Sequence, residues 1–322
     1  MKAKNNYYFL LASFFFFSFF ISCNKQELET TIPESNTNLL PEIDTSFITS
    51  KSSGASPIYT DSSGSIQVQV FFKHYNGQHN SGQMSVGSDY VLIGGGAWAS
   101  KDALITKSAP LLDGRTWTAS SKDHHYPSNH QLTVYAIGLK IIGVNKFTLA
   151  QNIKINALTT NGLPVGSPSL AVNLDNQYTL VGGGAHLDAN CTLCTGGANL
   201  LYKSAPNGNG WIAAGKEHIY GGYSKLTTYA IGIRTSFLQS LNIEVISQQA
   251  SVYSSGGIGH ASLDPESGSV LVGVGATAGY HGAGRLLTHI SPWGNHAFSR
   301  SKDHGFSDYG NTTVYSWSLR KR

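Results

Sequence analysis

The chain has 322 residues, a net charge of +4, 40% hydrophobic and only 12% charged residues, which describes a compact body with enough apolar side chains for a large core. It contains no extended Lys/Arg run and no recognition-helix pattern, so nucleic acid is not the expected partner. The charge is uneven: residues 63–322 hold 18 basic and 12 acidic residues and all twelve His, a net of +6, beside an acidic N-terminal stretch. A basic, His-rich body points to an anionic partner.

Lys2 and Lys4 precede an almost wholly apolar run from Tyr7 to Ile21. At about 15 residues, it fits a signal h-region and is short for a membrane-spanning helix. It ends in Phe20-Ile21-Ser22-Cys23, which resembles the lipobox of bacterial lipoproteins, with Phe20 replacing the usual Leu. The resemblance implies cleavage after residue 22 and lipid attachment at Cys23. The following Asn24-Lys25-Gln26-Glu27-Leu28-Glu29 resembles the tethers that carry Bacteroidota lipoproteins to the outer surface. That resemblance implies an outer-membrane protein anchored by lipid and exposed outside the cell. Residues 23–62, with Ser/Thr clusters, scattered Pro and no hydrophobic period, read as the lipidated Cys and a flexible stalk.

From residue 63 onward the chain repeats itself. Leu92-Ile93-Gly94-Gly95-Gly96-Ala97, Leu180-Val181-Gly182-Gly183-Gly184-Ala185 and Leu271-Val272-Gly273-Val274-Gly275-Ala276 are spaced by 88 and 91 residues. Each leads to a Ser-x-Pro strand (Ser291-Pro292 in the third copy), a Lys-(Asp/Glu)-His triplet and a closing strand such as Leu132-Thr133-Val134-Tyr135-Ala136-Ile137-Gly138. Three repeats follow, about 63–142, 143–236 and 237–322. The pattern also resembles repeats in uncharacterised secreted bacterial proteins, which implies compartment and fold but no chemistry.

Strand-like alternation dominates and helical periodicity is nearly absent, so the expected class is all-β with about 12 to 15 strands over 63–322. Glycine inside a strand signals a bulge or a close backbone approach. Three such strands packing around a pseudo-threefold axis predict a prism-like arrangement of three sheets. The alternative is a six-bladed propeller with two blades per repeat.

Cys191-Thr192-Leu193-Cys194 lies in an insertion found only in the second repeat. One such pair is half a zinc site at best, and outside the cytoplasm a disulfide between Cys191 and Cys194 is expected. No His pair has convincing ligand spacing. No cofactor is expected, and a divalent ion is left open.

The triplets Lys122-Asp123-His124, Lys216-Glu217-His218 and Lys302-Asp303-His304 are the polar cluster present in all three repeats. In a strand, Lys and His at i and i+2 share a face and the acid between them takes the other. Elimination from a uronic acid needs a neutralised carboxylate, a base and an acid. The Lys122, Lys216 and Lys302 ammonium groups, His124, His218 and His304, and the nearby Tyr126 and Tyr220 supply these roles. Glycoside hydrolysis would instead use Asp123, Glu217 or Asp303 in convergent pairs. A third reading makes the triplet a scaffold device in which the acid bonds a backbone turn. Among repeat-specific residues, His186 follows the second Gly strand directly and marks that repeat as the candidate for a single active site. Tyr126, Tyr220, Phe306 and Tyr309 are candidates for stacking on sugar rings. The expectation is a surface-tethered protein that acts on an anionic extracellular polysaccharide, by a lyase or hydrolase mechanism, or that binds it as a lectin does.

Overall fold

The computed structural model describes residues 52–123, 128–161, 166–188, 199–217, 222–303 and 305–322. The chain opens with β1 (Ser53–Ala55) and β2 (Tyr59–Thr60). The first repeat forms β3 (Ile66–Gly77), β4 (Asn80–Ser85), β5 (Val91–Ala99), β6 (Leu104–Pro110), β7 (Thr116–Lys122) and β8 (His130–Ile141). A short helix α1 (Lys146–Gln151) then leads into β9 (Ile153–Thr159), β10 (Ser169–Asn173), β11 (Tyr178–Asp188), β12 (Leu200–Pro206), β13 (Gly210–Lys216) and β14 (Lys225–Arg234). After α2 (Thr235–Ser240) come β15 (Ile243–Ser254), β16 (Ile258–Leu263), β17 (Val270–Ala278), β18 (Arg285–Trp293), β19 (His296–Asp303) and β20 (Gly310–Lys321). The protein is all-β, as its alternation predicts. Among the described residues of 63–322 there are 18 strands, more than the 12 to 15 expected, because the short β4, β10 and β16 carry Ser, Gly, Asn and Ala in place of a clear apolar alternation.

Among the described residues all pairing is antiparallel, in three sheets. Their orders are β1-β3-β8-β5-β18-β19-β16 (with β2 also on β3), β4-β7-β6-β11-β14-β9 and β10-β13-β12-β17-β20-β15. Every sheet therefore joins strands from two of the sequence segments 63–142, 143–236 and 237–322, and each segment is divided between two sheets. The seams are short: Trp98 and Ala97 face His289 and Ile290, Lys107 and Ser108 face His186 and Ala185, and Lys203 and Ser204 face Thr277 and Ala276.

The Gly strands explain the convergence. Each is bulged at the same place, between Leu92 and Gly94, Leu180 and Gly182, Leu271 and Gly273. A Cβ on Gly94 would overlap the Val272 carbonyl oxygen, and one on Gly273 would overlap that of Val181. A Cβ on Gly182 would lie 3.5 Å from Gly273 Cα and 3.9 Å from the Ile93 oxygen. The three strands thus meet backbone to backbone in a closed ring, where a side chain at Gly94 or Gly273 would hold them apart. On the other side, the fully buried Trp117 and Trp211 lie against Gly95 and Gly183, each donating its indole N–H to a Ser of the Ser-x-Pro strand, Ser108 at 3.1 Å and Ser204 at 2.9 Å.

The folded body also begins earlier than residue 63. Residues 53–62, read from composition as stalk, are packed on the first sheet: β1 and β2 pair with β3, and Ser56 and Asp61 are buried. A Ser/Gly/Pro segment lacks the apolar period of a core strand, yet it can close a sheet edge because backbone groups do the bonding. The Asp61 carboxylate accepts the N–H groups of Ile66 (2.9 Å) and Lys321 (3.0 Å), tying this strap to the last strand.

Candidate functional site

The strand register brings the described parts of the three triplets to one end of the body. Lys122 is the cross-strand partner of Leu104, Lys216 of Leu200 and Lys302 of Leu286. The three Leu form a small buried cluster of their own, with Tyr202 packed against it. Directly opposed residues of an antiparallel pair project to the same face, so the three Lys border the end where the three repeats close. Two of them reach onto a turn of another repeat. Lys302 Nζ lies 3.2 Å from Asp102 Oδ2, while Asp102 Oδ1 is 3.0 Å from Arg300. Lys216 Nζ donates to the Ala283 carbonyl and sits 4.3 Å above the centre of the Tyr280 ring. Burial holds the Lys122 and Lys216 ammonium groups below the ordinary lysine range, opposed by Asp123 and Asp308 respectively.

The three acids each lie against chain that precedes them in sequence, between two strands of different sheets. Asp123 Oδ1 is 2.7 Å from His79 Nε2 in the β3–β4 turn. Asp303 Oδ2 accepts the Gly257 N–H at 2.7 Å in the β15–β16 turn. The Glu217 carboxylate lies against Gly166, just before β10. Of the three, Asp303 accepts a backbone N–H from its turn, as the scaffold reading expects. His124, His218, His304, Tyr126 and Tyr220 lie outside the described residues, as do Cys23, Cys191 and Cys194.

His186 belongs to a different place. It faces Lys107 across the β6–β11 seam, three residues along β6 from Leu104. Burial, with Lys107 beside it, lowers its pKa to about 4 against the pull of Asp188, so the ring is neutral at pH 7. The matching seam positions hold Trp98, whose ring is 5.5 Å from that of His289, and Thr277.

The third repeat contains a cluster that sequence reasoning missed. Arg285 is fully buried and donates to Ser301 Oγ (3.2 Å), the Asp308 carbonyl (2.8 Å) and the Gly257 carbonyl (3.0 Å). Asp308 gathers the N–H groups of His281 (3.1 Å), Gly282 (3.0 Å) and Gly284 (2.6 Å). Burial works against its ionisation, but these N–H groups and Lys216 hold the carboxyl below the usual range. His281 stacks on Tyr309 at 4.5 Å and 19°. The signal available in the sequence was the divergence of aligned positions: Ala103, Asn199 and Arg285 all precede the converging Leu.

Among the described residues no group of three His, Cys, Asp or Glu is placed to hold a metal, and no helix is long and apolar enough to cross a membrane.

No protein-family model matches this chain, and no curated protein is similar to it.

The chemistry must therefore be argued from the site. It offers three ammonium groups around one closed end, and aromatic rings in the loops beside them. Phe306 is 73% exposed, Tyr309 49% and Tyr280 36%. Its three described triplet acids each sit at a different connection between sheets.

Proposed function

We propose that this chain is a lipid-anchored surface protein, with three repeats in a prism-like arrangement, that binds an anionic extracellular polysaccharide without cleaving it. The observation that carries this reading is the register of Lys122, Lys216 and Lys302 with the three Leu that meet at one end. One cation per repeat around a common end suits a repeating polyanion, and three weak contacts on one chain gain from avidity. Tyr280, Phe306 and Tyr309 supply apolar faces for sugar rings. Placement of Asp123, Glu217 and Asp303 at three separate connections between sheets favours binding over hydrolysis, since a glycosidase needs two carboxyl groups converging on one bond.

A uronate lyase is the second reading, favoured by one contact: Lys216 over the Tyr280 ring places a cation beside a phenol. The same experiment separates the two. Residues 45–322 are run through gels containing acidic polysaccharides, while reducing ends and the ultraviolet absorbance of unsaturated uronate are followed. Retarded migration that weakens with salt, with no new reducing ends, is the expected result. Reducing ends together with unsaturated uronate would make the protein a lyase. Reducing ends alone would make it a hydrolase, and unretarded migration on every polyanion would overturn the glycan reading. Anchorage is tested separately: Cys23→Ser abolishes lipid incorporation if Cys23 carries the anchor.

A further inference from the structure

We propose that the outer edge of β15, with the groove beside it, receives an extended, uncharged strand of a partner polypeptide. Strands β3, β9 and β15 hold matching places: β3 pairs with β8, β9 with β14 and β15 with β20. On β3 the chain closes the edge itself. Ser56 donates its N–H to the Val70 carbonyl at 2.8 Å, its Oγ accepts the Val70 N–H at 3.0 Å, and Tyr59 stands in register with Val68. Val68, Val70 and Phe72 are each 1% exposed as a result.

The register identifies the matching residues of β15. Val70 faces Ile137, which faces Gly94, while Ser247 faces Trp317, which faces Gly273. By the same count Val245 matches Val68 and Gln249 matches Phe72. Ser247 and Gln249 are exposed and Val245 is half-buried, and among the described residues no strand pairs with this edge. Beside it lies a groove of about 590 Å³, walled by Leu180, Asn209, Ser247, Gln249, Tyr315 and Trp317.

Two features define the occupant. An open edge offers N–H and C=O groups at alternate residues, about 6.8 Å apart, a spacing another strand matches. No Lys, Arg, Asp, Glu or His lines the groove among the described residues, and the strap that fills the β3 edge, Ser53–Thr60, is uncharged as well. The β9 edge is also open, but its groove carries Asp113, Arg115 and Lys146, which suits an uncharged strand less well.

The probe is an acetylated peptide of the strap sequence, Ser53–Thr60, added to the full chain while amide hydrogen exchange is followed by NMR. Protection of the Ser247 and Gln249 amides should rise about tenfold with peptide, with little change at Ile246. Ser247→Pro, which removes the edge donor, should weaken the peptide to the same degree. Unchanged exchange at Ser247, or equal binding to the Pro variant, would overturn the proposal; if that variant does not fold, exchange in the native chain decides alone. Protection produced by a neutral oligosaccharide and not by peptide would give the groove to a sugar. Protection without peptide that grows with protein concentration, alongside a dimer in sedimentation, would give the edge to a second copy. Either result also overturns the partner-strand proposal.

Discussion

Asp303 and Gly257 exchange two hydrogen bonds: the Asp303 N–H reaches the Gly257 carbonyl at 3.1 Å, and the Gly257 N–H returns to Asp303 Oδ2 at 2.7 Å. The acid of the third triplet is thereby spent on a turn 46 residues upstream in the chain. Asp303→Ala should cost about 1 kcal/mol in denaturant unfolding and speed exchange of the Gly257 amide, while glycan retention stays as in the native chain. Lost retention with Gly257 still protected would instead return Asp303 to the binding chemistry.

The ring of Gly strands predicts an unequal response to one added methyl group. At Gly273 or Gly94 the new Cβ meets a carbonyl oxygen of a neighbouring strand, whereas at Gly182 it meets atoms at ordinary contact distance. Gly273→Ala and Gly94→Ala should each cost about 3 kcal/mol or prevent folding, and Gly182→Ala under about 1 kcal/mol. Thermal unfolding of the three variants gives the order directly. Equal losses would mean that the ring closes differently.

His186 makes stability depend on acidity. Its folded pKa of about 4 lies below the ordinary 6.5, so above pH 6.5 it is neutral in both states and contributes no pH dependence. As pH falls towards 4 the unfolded chain takes up a proton that the folded chain refuses, and stability is lost across that window, by about 3 kcal/mol at most. Denaturant unfolding at stepped pH should show a shallower decline for His186→Gln. Parallel curves would mean that the imidazole is more accessible than its place at the seam implies.

Asp102 balances two cations, Lys302 and Arg300, from a left-handed backbone position (φ 56°). Asn tolerates that conformation, so Asp102→Asn removes the charge and leaves the turn. Retention on an acidic polysaccharide should strengthen about threefold, with a steeper salt dependence. Weaker retention would argue that Asp102 orders the Lys302 end for binding.

Much of the fold is readable from residues alone. The Gly-x-Gly strands announce both their bulges and their meeting, because glycine at Gly94 and Gly273 is needed only where backbones touch. The strand periods of segments such as Ile66–Val70 give the class. The exchange of strands between repeats is not readable: Trp98 and His289 share a seam from opposite ends of the chain, and no local pattern encodes it. The strap at 53–62 hides for another reason, since its bonds are made by backbone and its composition is that of a linker. For the site, the triplets advertise charge, but a strand period cannot say that Asp123 meets His79 or that Asp303 meets Gly257. The Arg285 and Asp308 network is legible only as divergence between otherwise similar copies.

The seam between β5 and β18 has a consequence for how the molecule comes into being. A ribosome delivers the first Gly strand long before Trp98 and Ala97 can meet His289 and Ile290, the residues they face in the finished body. Until then β5 lacks its outer neighbour, and the ring of Gly94, Gly182 and Gly273 is open. Unlike an array of self-contained modules, which mature one after another, this body closes only once its final third has emerged. A chain cut short within that third would present unpaired strand edges rather than a smaller working protein.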